Sequence, residues 1–136
     1  NGMTLVEHPE QMPALESGMY FDADIPVDVM QKEVGNYIKI TGASFGKDRQ
    51  MSGEMTKMGV NKATGMQRLM DELKIGREDT IAFGDGPNDV EMLQFAGTGV
   101  AMGNAIPAVK QYADMVTDKI DEDGLYHAFE RLHLLG

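Results

Sequence analysis

Two carboxylates and an amide lie close together in Asp85-Gly86-Pro87-Asn88-Asp89, directly after the apolar run Ile81-Ala82-Phe83-Gly84. Asp85 and Asp89 at this spacing are candidate ligands of a hard cation. Mg²⁺ is commonly held by one or two carboxylates, with water and substrate phosphate completing its shell. Glycine and proline make the segment a turn, and Val90, Met92, Leu93 and Phe95 begin a helical pattern at once. Carboxylates at the carboxyl end of a strand sit where α/β sheets bind their ligands. Lys62 is the second chemical group, at the start of a helix pattern that runs to Lys74. A cation there opposes the partial positive charge of a helix N-terminus. The free N–H groups of the same end attract anions, so a phosphate would suit both.

Each of these residues also has a plainer reading. Lys62 is explained as solvated surface, with Asn61 as the helix cap. Asn88 as N-cap with Glu91 three residues later approximates a capping box, and Asp89 would complement the helix dipole. Turn chemistry alone accounts for Asp85-Gly86-Pro87. The whole constellation is more specific than any one part. A separate pair, Asp22-Ala23-Asp24, follows Met19-Tyr20-Phe21 and has the types for a nucleophile and an acid/base, with Thr41-Gly42 as a phosphate contact. Ile25-Pro26 then stands where a phosphate-binding turn needs a small, flexible residue, and a solvated turn leading into a helix explains Asp22 and Asp24 more simply. His8, His127 and His133 are scattered without metal-ligand spacing.

The elements that must position these groups are clearest after residue 58. Met66, Leu69, Met70 and Leu73 fall on one helical face, with Gly76 placed to stop that helix. Thr80 to Phe83 reads as a short buried strand, and a helix follows Asn88. Gly99 to Met102 reads as a second strand. Asn104 is then placed to cap a helix through Tyr112, with Pro107 in its first turns. Asp114 to Thr117 is a small third strand, and Leu125, Ala128, Phe129 and Leu132 mark a terminal helix. Such alternation predicts an α/β fold, a parallel sheet covered by helices. Before residue 58 the pattern is weaker: an irregular Met3 to Ser17, a helix over Pro26 to Val34, and strands over Asn36 to Thr41 and Gln50 to Met58. These suggest part of a small α+β domain.

Composition narrows the classes of function. Hydrophobic content of 42% and charged content of 25% in 136 residues are those of an ordinary globular chain. Twelve basic against 22 acidic side chains give a net charge of −10, which argues against nucleic acid as partner. A phosphorylated ligand would need a local cation, metal or lysine, to overcome that field. The absence of cysteine excludes disulfides, thiolate metal sites and cysteine nucleophiles. No apolar run approaches the roughly 18 residues of a membrane span. With no signal-peptide pattern at Asn1-Gly2-Met3, the expected location is the cytoplasm, away from membranes.

Four motifs occur in order: Asn61-Lys62-Ala63-Thr64-Gly65, Gly84 to Asp89, Val100-Ala101-Met102-Gly103-Asn104-Ala105, and Asp121-Glu122-Asp123-Gly124. Over residues 59–136 the chain resembles the C-terminal half of a haloacid dehalogenase-like hydrolase, a Cof-type phosphatase with a type IIB cap. The resemblance implies half of a Rossmann-like core over 59–136 and a cap remnant over 1–58. It implies that Lys62 contacts and neutralises the transferring phosphoryl group and that Asn88 helps hold the substrate phosphate. Asp85 would be a Mg²⁺ ligand, with Asp89 supporting the metal directly or from behind. Enzymes of this kind hydrolyse small phosphomonoesters, sugar phosphates among them, through an aspartyl-phosphate. The family's opening Asp-x-Asp-Gly-Thr motif has no clear counterpart here. The expectation is therefore a catalytically incompetent fragment of a longer phosphatase, with self-association through an incomplete sheet. Two alternatives stay open: a compressed, complete phosphatase using Asp22 and Asp24, and a non-catalytic metal or phosphate binder.

Overall fold

The computed structural model describes residues 17–21, 24–42 and 52–136, and the chain divides into two units, Asn1–Met58 and Gly59–Gly136. In the second unit, the apolar runs form three parallel strands, β4 (Ile81–Gly84), β5 (Thr98–Ala101) and β6 (Met115–Val116). Their order is β4-β5-β6, with Ile81 opposite Thr98 and Gly84 opposite Ala101. Parallel strands need helical crossovers, which cover both faces of the sheet. Consecutive residues of β4 accordingly serve opposite faces. Ala82 joins Leu93, Ala96, Ala101, Ala105 and Val109 in the buried core, while Phe83 stacks on Phe129 with ring centroids 5.3 Å apart.

The helices of this unit are α2 (Lys62–Leu73), α3 (Val90–Phe95), α4 (Pro107–Lys110) and α5 (Gly124–Arg131). Small residues let their backbones approach the sheet closely. A Cβ on Gly99 would stand 2.3 Å from the Leu93 carbonyl oxygen, so α3 rests directly on β5 at that point. Leu93 is almost wholly buried, and its burial contributes about 2 kcal/mol.

Three local expectations are corrected by partner geometry. The helix from Lys62 ends at Leu73 with Lys74 in the left-handed conformation, and Gly76 instead precedes a one-turn helix over Arg77–Asp79. Asn88 does not cap α3; a one-turn helix, Pro87–Asp89, leads into it, and the Asp89 side chain accepts from the Gly86 N–H. Asn104 does not cap α4 either. That helix is a single turn with Ile106 at its N-cap, and it stops at Lys110 rather than Tyr112.

Among the described residues, the first unit is an antiparallel sheet with one helix. Strands β1 (Ser17–Phe21), β2 (Ile38–Gly42) and β3 (Ser52–Lys57) lie in the order β1-β3-β2, and α1 (Val27–Val34) starts after Pro26. Gln31 ties α1 to β2. Its amide nitrogen donates to the Gly35 and Ile38 carbonyls, and its oxygen accepts from the Ile40 N–H at 2.7 Å. The irregular stretch expected before Ser17, together with His8, Asp22 and the first residues of the strand expected from Gln50, lies outside the described residues.

Candidate cation and phosphate site

The carboxyl end of β4 delivers the turn at Asp85, and the N-terminus of α2 brings Lys62 to it. Asn61 fixes that N-terminus through a reciprocal capping box: its side chain accepts from the Thr64 N–H at 2.8 Å, and the Thr64 hydroxyl accepts from the Asn61 N–H at 2.9 Å. Such a cap satisfies two N–H groups that a helix start leaves open. Lys62 is therefore held at the first helical position, and its Nζ donates to Asp89 Oδ1 across 27 residues of sequence.

Asp89 is the ordered centre of the turn. Its side chain is 6% exposed, against 49% for Lys62. The second oxygen, Oδ2, accepts from the Asp85 and Gly86 N–H groups, each at 3.0 Å. A buried carboxylate is tolerated only when paired and hydrogen-bonded, and Asp89 has both. This requires the backbone to come close: a Cβ on Gly84 would lie 2.5 Å from the Asp89 Cβ. The helix-start lysine thus already has an anion, and it is a residue of the protein.

Asp85 is different. It is exposed at the mouth of the turn, and its Oδ2 accepts from the Asn104 amide at 3.0 Å. Lys62, Asp85 and Asp89 line a cleft of about 340 Å³ together with Phe83, Met102, Ile120 and Leu125. Asn88 is half-buried next to Asp89 in the one-turn helix and is not part of that lining. Asp24 belongs to the first unit, exposed in the bend before α1. Asn104 is the site residue that sequence reasoning placed in the wrong role: its motif was visible, but its partner was not.

Among the described residues, no group of three acidic or histidine side chains could enclose a metal. The donor set nevertheless suits Mg²⁺, which keeps several waters and takes only one or two protein carboxylates beside a substrate phosphate. Both Asp89 oxygens already accept hydrogen bonds, whereas only one Asp85 oxygen has a side-chain donor, from Asn104. Near the cleft, Lys119 is held above its ordinary pKa by its hydrogen bond to Glu122 and by the charges of Glu122 and Asp121. Among the described residues, no helix is long and apolar enough to cross a membrane.

The chain is similar to known proteins. The chain is 56% identical over 72 residues to the 5-amino-6-(5-phospho-D-ribitylamino)uracil phosphatase YitU of Bacillus subtilis, covering 53% of this chain and 27% of that protein. In structure it resembles the phosphatase BT1666 of Bacteroides thetaiotaomicron, with a TM-score of 0.76 and 30% identity over 93% of this chain and 44% of that one. The subclass IIB sugar phosphatase BT4131 gives a TM-score of 0.71 and 33% identity, covering 82% of this chain and 42% of that one. The chain thus spans between a quarter and a half of the length of these relatives. Residues 12–129 match the family model of the haloacid dehalogenase-like hydrolases, and the chain belongs to that family.

Proposed function

We propose that residues 59–136 form the cation- and phosphate-holding half of a Mg²⁺-dependent phosphomonoester hydrolase. The observation that carries this is the meeting of Lys62, Asp85 and Asp89 in the lining of a single cleft at a strand's carboxyl end. Asp85 presents its exposed carboxylate to the cation, and Asp89 orders the turn and sets the position of Lys62. Lys62 is half exposed, so its ammonium can turn from Asp89 toward a phosphoryl oxygen. Asn88 holds the substrate phosphate from the neighbouring turn. Bound Mg²⁺ would supply charge neutralisation at the phosphoryl oxygens, the main demand of phosphoryl transfer. The attacking aspartate comes from a segment of the longer parent, a reading supported by relatives about twice the length of this chain. Residues 1–58 serve as part of the cap that selects the substrate.

The substrate class is small phosphorylated metabolites, sugar phosphates included, as the names of the relatives suggest. The working compartment is the cytoplasm. The strand edge left open on β4 favours association with a second copy of the chain when this piece stands alone.

The test is a Mg²⁺-dependent assay of this chain with a generic phosphate ester, combined with orthophosphate binding. The expected result is binding without turnover. Robust turnover abolished by Asp22→Asn would overturn the division of the site between this chain and another segment.

A further inference from the structure

The two carboxylates of the turn are treated differently, and the difference has chemical content. Asp89 is neutralised by a lysine and buried. Asp85 is exposed and contacted by a neutral amide, which orders a carboxylate without cancelling its charge. That amide is itself anchored. Asn104 Nδ2 donates to Asp85 Oδ2 at 3.0 Å, and Asn104 Oδ1 accepts from the Ile120 N–H at 3.1 Å. A backbone N–H can only donate and a carboxylate can only accept, so the amide has one orientation that satisfies both ends.

Both ends of the bridge rest on a braced frame. The Gly103 N–H donates to the Asp118 carbonyl at 2.9 Å, and Lys110 Nζ donates to the Gly103 carbonyl at 2.6 Å. The Asp118 side chain takes Arg131 Nη2 at 2.8 Å and pairs with His127 Nδ1 at 3.0 Å, fixing the segment that carries Ile120 to α5. The bridge therefore runs from α5 and its preceding loop, through Asn104, to the cleft.

We propose that Asn104 is a positioning residue for the candidate cation site: it holds the Asp85 carboxylate in one rotamer, with its remaining lone pairs open to a divalent cation. The inference rests on the reading of Asp85 as the cation's ligand. An exposed aspartate on a turn otherwise samples several rotamers, and fixing one in advance lowers the entropic cost of binding. Partners that orient a ligand in this way are typically worth about ten- to a hundredfold in metal affinity.

Ile120 offers a clean way to cut the anchor. It begins a one-turn helix, and the residue before it, Lys119, has φ −71° and ψ 163°. Proline is favoured at a first helical position, and those angles are the ones a residue before proline adopts. Ile120→Pro thus removes the N–H donor at a position whose place in the helix and preceding residue both suit proline.

The experiment uses the 136-residue chain and two readouts. In the metal-free chain, three-bond couplings report the χ1 populations of Asp85. One rotamer is expected in the wild type, averaging in Asn104→Ala, and partial averaging in Ile120→Pro. Mn²⁺ titration followed by water-proton relaxation should then show binding weakened about ten- to a hundredfold in Asn104→Ala and less in Ile120→Pro. Both variants should melt, metal-free, close to the wild type. A single Asp85 rotamer that persists in Asn104→Ala would overturn the proposal, whatever the metal result. Unchanged Mn²⁺ affinity in Asn104→Ala, with affinity lost in Asp85→Ala, would overturn it while leaving the metal site standing. Unchanged affinity in Asp85→Ala would instead remove the metal reading itself.

Discussion

Removing the charge of Asp89 weakens three contacts at once: the ion pair from Lys62 and the hydrogen bonds from the Asp85 and Gly86 N–H groups. Hydrogen bonds to charged groups are worth more than neutral ones, and a buried donor left unmatched adds its own penalty. Asp89→Asn should therefore destabilise residues 59–136 by about 2 kcal/mol, read from urea denaturation. Lys62→Met should cost less, about 1 kcal/mol, because half of the lysine side chain is solvated and Asp89 keeps its two backbone donors. The same variant should weaken orthophosphate binding at least about tenfold, the loss of one well-placed charged contact. An equal and small effect on both measurements would return Lys62 to solvated surface. The sequence marked Lys62, Asp85 and Asp89 as candidates but did not show their pairing. The conflict between a lysine and a helix N-terminus was legible and pointed to an anion. That Asp89 itself supplies one, 27 positions away, depends on the fold.

Elements place these side chains, and their junctions are where single atoms matter. Gly84→Ala adds a Cβ that would lie 2.5 Å from the Asp89 Cβ, so the turn must move or β4 must bend. The expected cost is about 1–3 kcal/mol, the range for overpacking, together with weaker cation binding. Asn61→Ala gives the contrasting case. It loses the capping box of α2 and about 1 kcal/mol of stability, but leaves the Asp85 turn intact, so cation affinity should hold in the same titration. The strands and α2 were readable from apolar runs and helical periodicity. Asn61 was read as the cap of α2 and is one, but Asn88 and Asn104 were misplaced, because asparagine declares a hydrogen-bonding capacity without naming its partner. Asn104 was placed as a cap of α4, yet its amide spans from Asp85 to Ile120. Asn88 stands inside the turn helix, and the cap interaction belongs to Asp89.

In the whole molecule, the sheet of the second unit ends, among the described residues, at β4, the strand that leads into the candidate site. The carbonyls of Thr80 and Gly84 are taken by Thr98 and Met102, so the backbone groups of Ile81 and Phe83 face the open edge. Such an edge favours pairing with another chain, while a net charge of −10 opposes it. Association of the isolated chain should therefore increase with salt in sedimentation equilibrium; a monomer at all salt and protein concentrations would contradict this. The α/β character of this unit was legible because its strands are apolar and alternate with helices. The first unit was harder to read, since β3 (Ser52–Lys57) contains serine, glycine, glutamate, threonine and lysine around a single methionine. Its pairing with β1 and β2, not its own sequence, makes it a central strand.

The central claim is that Asp85 and Lys62 build one site for a divalent cation and a phosphate together. Calorimetric titration of orthophosphate into the chain, with and without Mg²⁺, tests it most directly. If the two ligands share the cleft, each must tighten the other by the same factor. Mg²⁺ should strengthen phosphate binding in the wild type, Asp85→Ala should abolish only this enhancement, and Lys62→Met should weaken phosphate binding in both conditions. Phosphate affinity indifferent to Mg²⁺, or an enhancement that survives Asp85→Ala, would contradict it.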